Sequence, residues 1–249
     1  MKKILFALIA AAMPFCTSGS NLTDGLDYTL RFGYSVGGTA PVNMPASIRS
    51  LSEYKLRPNF SLGIDVHTNL CGKFGIMAGL RAENKGMEID ARVKDYHMEI
   101  VRGGESLAGN FTGHNVTTVR QLMLTVPVMA TYAVSNKVQV KFGPYVSALL
   151  SREFSGYAYG GYLRVGNPTG PKVEIGDTPG TRGTYDFSND MRRMQYGLMA
   201  GADINVHKRW GAYADISWGL TGVHRGNFNT IEQTLYPIYG TIGVIYKLR

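Results

Sequence analysis

Cysteine is nearly absent from this chain, with two in 249 residues, Cys16 and Cys71. A disulfide framework is therefore excluded, and so is a zinc or thiol-redox site built on paired thiols. No apolar run of 18 residues occurs beyond the first twenty positions, which excludes membrane-spanning helices. Acidic residues are in the minority, 18 against 26 Lys and Arg, for a formal charge of +8. A basic balance can signal nucleic acid. Here the cations are scattered, not clustered with stacking aromatics on one face, so nucleic acid is not the expected partner. No nucleophile motif stands out. No catalytic residue, cofactor or metal ligand is assigned.

What is abundant is glycine, 31 residues, and tyrosine, 15. This suits many strands joined by tight turns. The N-terminus is of a different kind. Lys2 and Lys3 precede an apolar stretch from Ile4 to Phe15, and Thr17, Ser18, Gly19 and Ser20 follow. That order is expected of a secretory signal peptide over residues 1–20, cleaved near Gly19 or Ser20, with residues 21–249 forming one β domain. Cys16 invites comparison with a lipoprotein signal, but Met13-Pro14-Phe15 lacks the Leu and small residues such signals use. Cleavage would leave Cys71 as the single thiol.

Alternation of period two organises the remainder. Its clearest instance is Gln121 to Tyr132. There Leu122, Leu124, Val126, Val128, Ala130 and Tyr132 share one face, opposite Met123, Thr125, Pro127 and Met129. Similar stretches run from Asp27 to Val36, Asn59 to His67, Phe74 to Glu83, Val138 to Ala148, Gln195 to Val206, Trp210 to Trp218 and Ile238 to Leu248. Weak alternation from Met87 to Val101 predicts that the third strand extends beyond its neighbours to a Gly103-Gly104 tip. Eight strands result, joined by long and short gaps in strict alternation. A meander of this kind closes into an antiparallel up-and-down barrel with short periplasmic turns and long extracellular loops. Pro127 lies mid-strand, where it removes a ladder hydrogen bond. A bulge or local break is expected there, shared with Pro144 on the next strand.

The two faces identify the solvent. Arg31, Asp65, Arg81, Glu83, Lys141, Asp203 and Asp215 all fall on the less apolar face. Tyr28, Phe74, Tyr132, Trp210 and Tyr246 fall on the apolar face, beside short turns or termini. Apolar residues facing lipid, an aromatic girdle and inward charges make a transmembrane barrel, not a soluble one. An eight-stranded barrel is only wide enough for side chains to fill it, so the inward charges are expected to pair as a plug.

Particular segments also resemble a known family. The run L-x-L-x-V-P-V at Leu122 to Val128, K-F-G-P-Y at Lys141 to Tyr145, M-Q-Y-G-L-M-A-G-A-D at Met194 to Asp203 and I-G-V-I-Y at Ile242 to Tyr246 are similar to the small outer-membrane β-barrels of Bacteroidetes described as porin-family or PorT-like. The resemblance implies an eight-stranded meander in the bacterial outer membrane, surrounded by lipid and lipopolysaccharide. It implies no settled molecular activity. The chain departs from the usual terminal aromatic, ending Tyr246-Lys247-Leu248-Arg249.

Function is expected in the external segments. Tyr157, Tyr159 and Tyr162, with Tyr185, are candidates to meet a protein or glycan partner, although 157–165 also reads as a continued hairpin. Deleting Gly166 to Thr184 is expected to spare barrel assembly. A rim enzyme would draw on His97 with Asp95 and Glu99, on His114 or on His224. A component of secretion machinery is a third reading.

Overall fold

The computed structural model describes residues 25–41, 45–55, 57–226, 228, 230–231 and 234–248. The expected signal peptide and Cys16 lie outside these residues. Eleven strands appear: β1 (Asp27–Pro41), β2 (Ile48–Lys55), β3 (Phe60–Cys71), β4 (Phe74–Arg102), β5 (Glu105–Ala133), β6 (Val138–Val165), β7 (Lys172–Ile175), β8 (Gly183–Asp186), β9 (Met194–Asn205), β10 (Trp210–Gly219) and β11 (Leu235–Lys247). Every pairing is antiparallel. The ladder runs β1-β3-β4-β5-β6-β9-β10-β11 and returns to β1 through Thr29 opposite Lys247 up to Pro41 opposite Leu235. Eight strands thus close a ring, with no free edge within it.

At one end the connections are short: Gly72-Lys73, residues 134–137 and residues 206–209. Gly72 adopts a positive φ of 56°, as a two-residue turn requires. At the other end β4, β5 and β6 rise far above the ring. The gap expected between the third and fourth strands is almost entirely strand, closed by Gly103 and Gly104, both with positive φ. The other three strands lie in stretches that read as loops, and each covers an exposed edge. Above the end of β3, β2 takes over pairing with β4. Above the end of β9, β7 and β8 pair with the upper part of β6. A long bare edge would otherwise invite association with other chains.

The outer face of the ring is apolar. Leu62, Phe142, Ile216 and Ile242 each expose more than half of their surface. On β4 the band runs from Phe74 to Ala82 and stops at Asn84. The ten steps from Phe74 to Asn84, at ~3.3 Å each and tilted by about 40°, cover roughly 25 Å, the height of a hydrocarbon layer. Aromatic pairs mark its margins: Phe74 with Tyr132 and Trp210 with Tyr246 near the short turns, and Phe32 and Tyr34 with Phe60 at the opposite rim. Val126 lies mid-band, so Val126→Arg is expected to destabilise the inserted barrel by about 2–4 kcal/mol. The readout is a lower urea midpoint in lipid vesicles, and an unchanged midpoint would place this face away from lipid.

The expected disturbance at Pro127 takes the form of a break without a bulge. Val128 still faces Ala78 and Thr125 still faces Arg81 on one register, but the rungs between them are missing. The same holds toward β6, where the rungs between Pro127–Tyr145 and Ala130–Phe142 are absent. Two prolines near one diagonal remove two donors, and the ladder opens without gaining a residue. In/out parity therefore survives: Met123 and Thr125 are buried, while Leu122, Val126 and Val128 are exposed. The register shift lies higher, between Leu122 and Met123, where Leu150 is the extra residue on β6. Below it Lys141, Tyr145 and Ser147 point inward; above it Phe154 and Ala158 do.

The interior has two storeys. Within the apolar band it is polar. Above the band it becomes an apolar core of Met87, Val93, Met98, Ile100, Phe111, Val119, Phe154, Leu163 and Phe187, roofed by Ile175 and Val223. Side-chain polarity reverses along single strands. On β4 the outward residues change from Phe74, Ile76 and Leu80 to Glu88 and Arg92, and the inward ones from Arg81 and Glu83 to Met87 and Ala91. This upper storey, termed the cap below, had no counterpart in the expected plug.

Candidate functional site

Two places concentrate polar chemistry. The first is the lower interior. The Arg31 guanidinium contacts Asp65 through Nε and Asp203 through Nη2, and its Nη1 lies 3.7 Å from Asp215. Arg81 donates to Asp65 and to Asp215 at 3.1 Å each. Lys141 Nζ lies 2.6 Å from Asp203 and 2.7 Å from Asp215. One storey higher, Glu83 accepts from Thr125 Oγ1 at 2.6 Å and pairs with Lys85 at 3.0 Å. All eight ionic side chains are buried, four cations against four anions. Alternate positions on neighbouring strands face one lumen, so distant residues such as Arg31 and Asp203 meet. The structure thus gathers Arg31, Asp65, Arg81, Lys141, Asp203 and Asp215 into one network, with Glu83 in an adjoining one. Lys85 belongs to it too. Sequence reasoning ended the alternation at Glu83, although Lys85 continues the same period.

Aromatic rings complete the cluster. Arg31 and Lys141 lie over the Tyr213 ring at 4.6 and 5.3 Å, and Lys85 lies 5.4 Å from the Tyr239 ring centre. Such contacts set buried positive charge against the negative face of an aromatic ring.

The second place is the outer face of the cap, across β2, β4, β5 and β6. Tyr157 and Tyr159 alternate outward, and the next outward residue would be Gly161. A second shift intervenes: Thr112 pairs with Tyr162 while His114 pairs with Tyr159. The extra residue on β6 turns Tyr162 outward and Leu163 into the core. Gly160 carries it, with a φ of +60° that side chains disfavour. A Cβ on Gly161 would lie 2.0 Å from the Thr112 carbonyl oxygen. The three tyrosines therefore share a solvent-facing row. Arg182 lies over Tyr157 at 4.4 Å and Tyr159 at 5.6 Å, and Lys172 over Tyr162 at 4.5 Å. Tyr185 differs from expectation. It points inward, buried against Phe187, with its hydroxyl bonded to Thr117.

Tyr159 donates its phenol proton to Asp90 at 2.6 Å, and His114 Nδ1 lies 3.3 Å from the same carboxylate. That hydrogen bond, aided by burial, pushes the Tyr159 phenol up to about 12. Below it, Glu88 is held below the ordinary carboxylate range, first by its hydrogen bond from Lys55. The remaining histidines are separated. His97 is exposed on β4, beyond a register shift at Asp95, whose φ is +55°. Asp95 is engaged by Asn110 and Glu99 by Ser106. His224 is buried between Phe154 and Phe228, with ring centres 4.5 and 4.4 Å away. None of these histidines has a paired nucleophile.

Burial pushes His224 down to about 4, and nearby Asp190 offsets this only in part. Its folded value lies below the free value of ~6.5, so the neutral ring stabilises the cap fully above about pH 6.5. That stability is lost as pH falls from about 6.5 towards 4, by up to about 3 kcal/mol. The urea midpoint of the cap is expected to fall over this window in the native protein and to fall less in His224→Phe. Equal pH profiles would show that another group governs the change.

A closed ring with an apolar belt matches what sequence comparison finds. The family model described as outer membrane protein beta-barrel domain matches residues 18–225. The chain belongs to this family. The barrel is accordingly an outer-membrane barrel of a bacterial envelope, its short turns on the periplasmic side and its cap outside. No curated protein matches the chain. Among solved structures, Yersinia pestis Ail in complex with the heparin analogue sucrose octasulfate is 9% identical, covering 90% of this chain and 97% of its own, at a TM-score of 0.37. Acinetobacter baumannii CarO is 12% identical over 91% of this chain and 99% of its own, at 0.44. Pseudomonas aeruginosa OprG is 12% identical over 90% and 96%, at 0.39. Likenesses at this level are resemblances only, and no role of this barrel rests on them.

Proposed function

We propose that this barrel is a non-enzymatic surface-binding component of the outer membrane, with a sealed interior and a ligand face on the external cap. The observation that carries the reading is the row of Tyr157, Tyr159 and Tyr162, turned to solvent on one rigid face and overhung by cations. Rigid aromatic rings with a polar rim are what protein and glycan partners engage. The neutral set of four cations and four anions supports a plug that fills the lumen within the membrane. Lipid and lipopolysaccharide surround the band. Similarity of the four sequence segments to PorT-like proteins of Bacteroidetes supports an envelope role, with a secretion-machinery neighbour as one kind of protein partner for the same face. The whole of residues 21–249 constitutes the mature unit in this reading.

The test is recovery of partners from cross-linked outer membranes in mild detergent, together with a glycan array. Native protein is expected to retain a saccharide or a protein that Tyr157→Ala/Tyr162→Ala loses by tenfold or more, with heat-modifiable gel migration unchanged. Equal recovery by the double variant overturns the ligand face. A large, stable conductance in planar bilayers overturns the plug. The deletion of residues 166–184 is unsuitable as a test. It would remove β7, which pairs with residues 161–164, and the buried Ile175.

A further inference from the structure

Beside the tyrosine row, the cap carries a cleft of about 630 Å3 that crosses β2, β4, β5 and β6. Arg49, Arg92 and Lys94 line it, with His114 and Tyr162 at its margin. Its floor is backbone at Gly113, Gly160 and Gly161, left bare by the same shift that turns Tyr162 outward. The three cations form no ion pair with any described residue, although Lys55, Arg57 and Arg120 on the same surface are all paired. Two of the nearby acids are engaged elsewhere. Asp90 is held by Tyr159 and His114, and Asp95 bonds Asn110, so Asp177, whose carboxylate borders Gly160, is the one acid at the cleft floor among the described residues, against three cations.

We infer that this cleft binds a saccharide bearing sulfate or phosphate esters, which deepens the surface-binding reading above and rests on it. Cations gathered around a concave site repel one another, and an anion that bridges them relieves the repulsion. Two arginines suit the bidentate geometry of tetrahedral oxyanions. The volume falls within the ~300–1,000 Å3 of small-ligand sites. The bare glycine floor admits close approach, and the Tyr162 ring at the edge offers a wall for a sugar face. Height narrows the source. Arg92 lies eight residues beyond Asn84 along β4, roughly 20 Å above the hydrocarbon boundary at ~3.3 Å per residue and a tilt of about 40°. Phosphates at the lipid headgroups lie below that level. The ester belongs to a projecting glycan, either the outer part of lipopolysaccharide or a soluble sulfated chain.

The intact protein, refolded in detergent, is titrated with a heparin-derived octasaccharide, its desulfated form, and lipopolysaccharide before and after removal of its phosphates. Binding of at least one esterified saccharide is expected, weakened tenfold or more by Arg92→Gln/Lys94→Gln and by raising salt from about 0.05 to 0.3 M. Arg49→Gln provides a second, milder variant should the double one fail to show heat-modifiable migration. Preference for the octasaccharide assigns a soluble source, and preference for lipopolysaccharide assigns the barrel's own membrane. Absence of binding to every esterified saccharide overturns the inference, as does equal binding by the charge variants. If partner recovery by the tyrosine row persists in that case, the surface-binding reading stands without this site.

Discussion

Replacing Arg31 by alanine is expected to cost the barrel about 3–5 kcal/mol, because it leaves an uncompensated charge in a water-poor lumen. Arg31 touches Asp65 and Asp203 and lies near Asp215, while Arg81 and Lys141 supply the only other positive charge among the described residues of that cluster. Without Arg31, three carboxylates face two cations. The remedy follows from the same count. Arg31→Met/Asp203→Asn restores two against two and is expected to recover at least half of the loss. Urea midpoints in detergent micelles, followed by tryptophan fluorescence and heat-modifiable migration, make the comparison. A double variant no better than Arg31→Ala would show that packing volume governs this interior and charge balance does not.

Phe111→Ala is expected to cost the cap a similar ~3–5 kcal/mol, through lost burial and the cavity left behind. Phe111 is fully enclosed, and it sits one residue from the shift that orients Tyr162. The barrel below has its own lipid-facing belt and ionic interior. Its midpoint should therefore hold while trypsin cuts the hairpin of β4 and β5. Loss of partner recovery should accompany the cleavage, since the tyrosine row depends on that hairpin. If the barrel midpoint falls in step with the cap, the two storeys are a single cooperative unit.

Sequence alternation was informative where solvents differ sharply across a strand. Leu122 to Tyr132 has hydrocarbon on one side and ionic side chains on the other, so period two is plain and the ring of eight could be read. Above Asn84 the contrast weakens, because the cap's interior is apolar and its outside mixed. Three register shifts, at Asp95, Leu150 and Gly160-Gly161, each reverse the parity that alternation relies on. Tyr185, in a short strand among glycine and threonine, has no run of alternation to mark it as buried. The segments Lys172–Ile175 and Gly183–Asp186 are four residues each, too short for a period to register. The cleft of Arg49, Arg92 and Lys94 needed pairing information, since β2 joins β4 across forty residues of chain. Pro127 did signal a disturbance, but whether the ladder breaks or bulges depends also on Pro144, diagonal to it on β6.

Reversal of polarity along β4, β5 and β6 fixes the protein's altitude. Sliding the molecule outward by two residues would keep every side chain on its own face, yet it would lift Leu122 and Leu150 into water. Sliding it inward would draw Arg120, Glu153 and Glu88 into hydrocarbon. Neither displacement breaks a hydrogen bond, and both are opposed by solvation alone. The cap is thus held at a set distance from the cell surface, like a float on its waterline. A ligand face mounted on it meets approaching molecules at constant reach.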